Sequence, residues 1–226
     1  MKRHLHEPVK RFGKDIDIKP KIKEFYDEVK KYKIEDIICL DETSINGLMK
    51  RNFCYEDKGK RCIHITNSQE VFKKYTGIFA ISSSGLIAYE LYIKGGIDSD
   101  RLEKFIEEFI IKNKFKKKLI IMDNASSHRN EKIKTLVNKD NKILYSPPYY
   151  HEGNAIEHYF SVLKSKLKKL DNLSYKQIND NIKEVINKIP VKHYENIMKG
   201  SYNIEYGSKE MKKKTPKKTP KKNYKK

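Results

Sequence analysis

Two continuous apolar runs that end in a carboxylate constrain the fold of this chain most. Residues 37–41 read IICLD and residues 119–123 read LIIMD. Apolar runs without polar alternation are typical of central strands that helices cover on both faces. In such sheets, ligand-binding and catalytic groups collect at the carboxyl ends of the strands. The sequence therefore predicts a helix-covered sheet that presents Asp41 and Asp123 at one edge.

The segments around these two strands predict the architecture. In chain order they are a helix at 20–33, a strand at 36–41, an inserted hairpin at 53–66, two antiparallel strands around the turn at 83–85, a helix capped by Asp98 or Ser99, a strand at 117–123, a helix near 129–139, a strand at 142–146 and helices at 155–170, 175–188 and 191–200. This mixture of parallel and antiparallel connections predicts a three-layer α/β fold with a mixed central sheet.

The charge of the chain predicts a polyanionic partner. There are 50 Lys and Arg against 30 Asp and Glu, which gives a net charge of +20. Residues 209–226 hold ten Lys and one Glu and so supply +9, which leaves +11 for the rest. We expect this Lys/Pro-rich tail to be disordered. Its sequence fits a nuclear-import signal, a DNA-binding arm or plain low complexity equally well.

The cysteines and the hydropathy indicate where the protein resides. Cys39, Cys54 and Cys62 form neither a CxxC pair nor an even set, which predicts a reducing compartment and no structural zinc. Cys54 and Cys62 are expected to face each other across the hairpin as reduced thiols. No apolar run approaches the roughly 18 residues of a membrane span, and no signal-peptide core is present. We therefore expect a soluble, intracellular protein.

Three carboxylates predict a metal site. If the two apolar strands are neighbours, Asp41 and Asp123 repel each other unless a cation or a proton lies between them. Mg²⁺ or Mn²⁺ is the natural occupant. Glu157, in the first turn of the helix at 155–170, is placed to supply a third ligand. Two Asp and one Glu would hold two metal ions, which, with a basic surface, predicts phosphoryl transfer on nucleic acid.

Three stretches also resemble a known family. They are CLDETSI at 39–45, IIMDNASSHR at 120–129 and SPPYYHEGNAIEHYFSVLKSKLKK at 146–169. They look like the signature blocks of the DDE transposases of mariner-like elements and related bacterial insertion sequences, and the match runs over roughly 20–170. The 33 residues between Asp123 and Glu157 are close to the interval of that family.

The resemblance implies an RNase H-like, retroviral-integrase-like core that cuts and joins double-stranded DNA at transposon ends and target. It implies that Asp41, Asp123 and Glu157 are the catalytic residues and the ligands of two Mg²⁺ (or Mn²⁺) ions. It also implies that the hairpin is a clamp contacting a partner subunit or DNA, hence a homodimer. Further residues are expected to support the site or contact DNA; they are Asn124, His128, Asn154, Lys164 and Lys168.

The chain departs from the family pattern in two ways. The usual Asn-Pro-Ile-Glu reads NAIE, with Ala155 in place of Pro, and Phe160 stands where Trp is usual. Proline would pre-form the start of the helix, so its loss is expected to soften that helix end. The family usually carries an N-terminal helix-turn-helix region, which the 35 residues before the first strand cannot contain. We expect either an upstream reading frame that encodes it or a remnant.

Three functions follow from these residues. The leading hypothesis is a DDE transposase domain at 36–202, preceded by an arm and lead-in helix at 1–35 and followed by the tail at 203–226. The second is a transposase-derived DNA-binding protein without turnover. The third is an RNase H-like nuclease acting on structured nucleic acid or hybrids. For each, the protein is expected with DNA, in a nucleus or nucleoid. Glu42 is expected to be structural or solvated and His158 to face away from the site, whereas His128 could lie beside the site or be exposed.

Overall fold

The structure is a computed structural model that describes residues 18–47, 49, 55, 57, 59–61, 63, 69–125, 127–148 and 150–202. The strands are β1 (Ile37–Asn46), β2 (Lys74–Ser82), β3 (Gly85–Tyr92), β4 (Leu119–Met122) and β5 (Lys142–Tyr145). The α-helices are α1 (Lys19–Val29), α2 (Ser99–Ile106), α3 (Glu131–Val137), α4 (Ile156–Leu167), α5 (Tyr175–Asn187) and α6 (Val191–Tyr202). The predicted tail lies outside the described residues, as do Cys54, Cys62 and all but isolated positions of the predicted hairpin.

The sheet is mixed, as predicted. Its strand order is β3-β2-β1-β4-β5. The pairs β1–β2 and β2–β3 are antiparallel, whereas β1–β4 and β4–β5 are parallel. The two apolar strands that opened the sequence are therefore neighbours at the centre of the sheet.

Residue alternation along these central strands sends side chains into two separate cores. The odd-numbered members Ile37, Cys39, Leu119 and Ile121 pack with α1, α4, α5 and α6. The even-numbered members Ile38, Leu40, Ile120 and Met122 pack with α2 and α3. Successive strand residues point to opposite faces, so this division follows directly from the pleat. The predicted three-layer α/β architecture is confirmed.

Two elements differ from the sequence prediction. The first strand was expected to end at Asp41, but β1 continues to Asn46 because Leu40 to Asn46 pair with β2. Asp41 therefore lies in the middle of a strand rather than at its end. Asp98 caps α2 as expected, by accepting a hydrogen bond from the Arg101 N–H, but the helix then widens into a π-turn at Glu107–Ile111. Among the described helices, none is both long and apolar enough to cross a membrane.

Candidate active site

The register of the central strands brings Asp41 and Asp123 together. The last parallel pair is Cys39 with Ile121. Asp41 follows Cys39 by two residues, and Asp123 follows Ile121 by two residues. Asp41 therefore continues the odd-numbered series of β1 toward the layer of α4, where its carboxylate contacts Asn154. Beyond this point the strands separate, since β4 ends at Met122 while β1 stays paired with β2. Asp123 lies at the start of this separation, close enough for its charge to raise the pKa of Asp41.

Asp41 is the buried member of the site, with 6% of its surface exposed. Its Oδ1 accepts a hydrogen bond from the Glu42 N–H at 2.7 Å, and its Oδ2 accepts one from Asn154 Nδ2 at 3.1 Å. Burial raises the pKa of Asp41 to about 7; the Glu42 N–H opposes this rise, and the charges of Asp123 and Glu157 add to it. The charge of His128 lowers the pKa of Asp41, but burial and the two neighbouring acids outweigh it.

Asp123 is more open and has its own partners. Its side chain is 44% exposed and forms an ion pair with His128, with 2.5 Å between Oδ1 and Nδ1. The same oxygen accepts the Ala125 N–H at 3.0 Å. Burial acts to raise the pKa of Asp123, but the hydrogen bonds from His128 and Ala125 outweigh it and lower the pKa. This carboxylate is therefore ionised and oriented.

His128 is fully buried and bridges two acids. Its Nε2 lies 3.3 Å from Glu42 Oε2 while its Nδ1 faces Asp123. Burial opposes protonation, yet the hydrogen bonds to Asp123 and then Glu42 raise the pKa of His128 to about 10. The Tyr145 hydroxyl donates to the His128 carbonyl at 2.8 Å and so anchors the turn. The sequence left open whether His128 lies beside the site or is exposed, and the structure shows it beside the site. Glu42 is its second partner and so has a structural role.

Glu157 lies on α4, in the helical layer that packs against the odd-numbered residues of β1. It is the second residue of α4, its side chain is exposed, and its N–H donates to the Asn154 carbonyl at 3.2 Å. Asn154 is buried and also donates from Nδ2 to the Leu40 carbonyl at 3.4 Å. The start of α4 is thereby attached to the strand that carries Asp41. His158, the next residue, is also exposed.

A cleft of about 340 Å³ opens beside Asp123. Asn124 lines it, together with Arg129 and His151, two cationic or titratable groups that the sequence interpretation did not single out. Arg129 is the last residue of the second signature block, so the resemblance to the family could have indicated it. A second cleft of about 460 Å³ shares Asn124 and residues 146–148 and extends to α1. The site therefore opens onto a continuous surface groove.

Lysines gather on the other side of Glu157. Lys164 is half-buried, and burial lowers its pKa; Glu157 opposes this, while Lys168 and Lys74 lower the pKa further. Lys164 and Lys168 are the residues expected from the sequence. Lys74, at the start of β2, was missed because only the fold brings it to α4. These positive charges suit an anionic partner next to the carboxylates.

The donor set fits a hard divalent cation. Asp41, Asp123 and Glu157 offer only oxygen ligands, and a bound cation would offset the burial that raises the pKa of Asp41. Within the described ranges, no three His, Cys, Asp or Glu side chains already converge at metal-ligand distances. Asp123 and Glu157 are thus close enough to Asp41 to raise its pKa, but the three acids are not drawn together, as expected for like charges.

A mixed sheet between helical layers, with acidic residues on β1, directly after β4 and on a facing helix, is typical of the RNase H-like fold. A profile of the DDE superfamily endonuclease family matches residues 36–179. The chain belongs to this family, as the signature blocks predicted. No curated protein sequence matches the chain significantly.

Solved structures of the Mos1 mariner transposase share the fold. The Mos1 paired-end complex with the left transposon end has a TM-score of 0.68 at 15% identity, covering 88% of this chain and 64% of that one. The Mos1 strand transfer complex has a TM-score of 0.68 at 17% identity, covering 88% and 63%. The catalytic domain of Mos1 has a TM-score of 0.63 at 15% identity, covering 90% and 93%. This chain thus spans just under two thirds of Mos1 in its DNA complexes, and the predicted RNase H-like fold is confirmed.

Proposed function

We propose that this chain is the catalytic domain of a DDE transposase, which cleaves DNA at transposon ends and joins those ends to target DNA. The observation that carries the proposal is the position of Asp41 and Asp123, each two residues beyond the last parallel pair of β1 and β4, with Glu157 in the first turn of α4. Membership of the DDE superfamily endonuclease family supports it. Water and then a DNA 3′-hydroxyl are the proposed attacking groups, each displacing a 3′-oxygen from phosphorus.

We infer that Asp41, Asp123 and Glu157 hold two Mg²⁺ or Mn²⁺ ions. Mos1 structures are known with Mg and with Mn, which supports the choice of metal. When bound, such ions activate the attacking oxygen and stabilise the leaving oxygen. The chain's own part is to carry the three carboxylates on β1, directly after β4 and in the first turn of α4.

Neighbouring residues orient these ligands. Asn154 donates to Asp41 Oδ2, which fixes one carboxylate oxygen and leaves its remaining lone pairs for a metal. His128 likewise fixes one oxygen of Asp123, from the side of the sheet on which α2 and α3 pack. Arg129 and His151 line the cleft next to Asp123, where they would contact phosphates of the bound strand.

Lys164 and Lys168 are proposed to contact the DNA backbone beside Glu157, and Asn124 to contact DNA from the cleft. The proposed partners are double-stranded DNA, a second copy of the chain engaged through the hairpin, and a helix-turn-helix product of an upstream frame. The Mos1 paired-end and strand transfer complexes support the DNA partner. The proposed location is with DNA, in a nucleus or nucleoid.

The test is cleavage of labelled duplexes that carry the terminal repeats flanking the gene. The purified chain should cleave them only with Mg²⁺ or Mn²⁺, and D123N should abolish cleavage. D36N is the matched control, because Asp36 lies at the opposite end of the same strand pair in an ion pair with Lys118. Cleavage by D123N at the wild-type rate would refute the assignment.

One observation favours a second candidate, a DNA-binding protein without turnover: the Asp123 carboxylate is already paired with His128. That candidate predicts binding of the same duplexes with no cleavage in either metal. The RNase H-like nuclease hypothesis instead predicts cleavage of structured or hybrid substrates with no requirement for the terminal repeats. A single set of substrates therefore separates the three functions.

A further inference from the structure

The last residue of α6 contacts the strand and the loop that build the site. Tyr202 is 5% exposed, and it lies outside the residues that the family profile matches. Its hydroxyl accepts the Ala155 N–H at 3.1 Å and donates to the Gly153 carbonyl at 3.2 Å. It also lies 3.1 Å from Cys39 Sγ. One buried hydroxyl thus joins β1 to the segment that leads into α4.

These contacts surround Asn154, the residue that holds Asp41. The hydroxyl bonds to the residue before Asn154 and to the residue after it, so it fixes both flanking peptide groups. Cys39 precedes Asp41 by two residues on the same face of β1. Cys39 and Tyr202 are both buried, so their contacts are shielded from water.

The hydroxyl also compensates for a missing proline. Ala155 has φ −59°, close to the value that proline fixes, and Asn154 has the extended conformation (φ −111°, ψ 107°) that a residue before proline needs. Proline at 155 would restrain this turn through its ring. Ala155 instead offers an N–H, and Tyr202 uses it.

We propose that Tyr202 is a positioning residue of the carboxylate site: its hydroxyl restrains residues 153–155 so that Asn154 reaches Asp41 and Glu157 enters α4 facing the sheet edge. The inference rests on the proposed metal-dependent function. It replaces the expectation that Ala155 leaves a soft helix start, since the restraint is supplied from α6.

The test is Mn²⁺ binding to the full chain, measured by calorimetry without DNA. Y202F should bind Mn²⁺ about tenfold more weakly than wild type, as is typical when a group that orients a metal ligand is lost. Amide exchange should become faster at residues 153–158 and stay unchanged in β4. Y194F is the matched control: Tyr194 is a buried tyrosine of the same helix, and its hydroxyl faces Tyr159 without meeting hydrogen-bond geometry.

Proline at 155 provides a rescue. A155P alone should also weaken Mn²⁺ binding, because the ring carbon would occupy the space where the N–H meets the Tyr202 hydroxyl. In Y202F/A155P the hydroxyl is gone, the ring fits, and most of the lost affinity should return. Thermal unfolding of each variant checks that all of them fold.

Equal Mn²⁺ affinity for Y202F and wild type would overturn the inference and leave the proposed function standing. So would equal losses in Y202F and Y194F, or a double variant no better than Y202F. A wild-type chain that binds no Mn²⁺ would instead refute the metal site, and the inference with it.

Discussion

Acidic residues lie at both ends of the β1/β4 strand pair, but among the described residues only the acid at the amino end is paired with a lysine. At the amino end, Asp36 pairs with Lys118 at 2.5 Å, and the Asn141 side chain satisfies the backbone of Lys118 and Phe115. At the carboxyl end, Asp41 meets Asp123 and Glu157, and no lysine neutralises it among the described residues. The first arrangement is complete without a ligand. In the second, burial and two further carboxylates oppose the ionised form of Asp41 and outweigh His128, so a bound cation would favour it, which is the property a metal site needs.

The largest effect expected from this contrast is on catalysis. D41N and D123N should each lower the cleavage rate at least about 10³-fold, since several kcal/mol of charge stabilisation depends on these ligands. D36N should change the rate less than about twofold, because Asp36 only neutralises Lys118. Single-turnover cleavage of labelled duplexes measures both. A D36N loss as large as that of D41N would remove the distinction between the two ends.

The two asparagines sharpen the contrast. N154A removes the donor to Asp41 and should lower Mn²⁺ affinity and cleavage about 10- to 100-fold, with a smaller effect on unfolding. N141A should do the reverse: the free energy of unfolding falls by about 1–3 kcal/mol because two backbone groups lose their partner, while cleavage by the remaining folded protein is unchanged. Denaturant unfolding and cleavage assays on both variants test this exchange of effects. Identical profiles for the two variants would contradict it.

His128 is the single cationic partner that the structure shows in contact with Asp123 among the described residues. H128N should lower the free energy of unfolding of the metal-free protein by roughly 1–3 kcal/mol, because Asp123 and Glu42 lose their shared donor. Mn²⁺ should then stabilise H128N less than it stabilises the wild type, because His128 no longer orients Asp123 for the metal. Thermal unfolding with and without Mn²⁺ measures both changes. An unchanged melting temperature in H128N without metal would show that the bridge is not structural.

The smallest effect concerns DNA affinity. K164A should weaken duplex binding about three- to tenfold at physiological salt and reduce the salt dependence by the equivalent of one phosphate contact. K188A is the control, because Lys188 is exposed directly after α5 and paired with Glu184. Fluorescence anisotropy over a range of salt concentrations provides the comparison. Equal losses in K164A and K188A would indicate binding by net charge alone.

The sequence predicted the central strands because continuous apolar runs and helical periodicity are local signals. It also predicted that Asp41 and Asp123 share an edge, since both acids follow such runs. It did not predict that β1 extends to Asn46, because residues 42–46 are mostly polar and become a strand only through pairing with β2. The partner strand, rather than the local composition, sets the end of β1.

The residues that position the three carboxylates were harder to predict than the carboxylates themselves. His128 reaches Glu42 from 86 residues away, and Tyr202 reaches Cys39 from 163 residues away. A lone histidine or tyrosine has no local pattern that indicates such a partner. Only the packing of α6 on the sheet and of the 127–129 turn beside β4 reveals these contacts, so they depend on tertiary structure alone.

The central claim is that Asp41, Asp123 and Glu157 form one metal site. Crystals soaked in Mn²⁺ and measured at the manganese absorption edge test it most directly. The account predicts anomalous density bounded by these three carboxylates, with none at the Asp36–Lys118 end. Manganese bound elsewhere in the crystal, with none between the three acids, would contradict it.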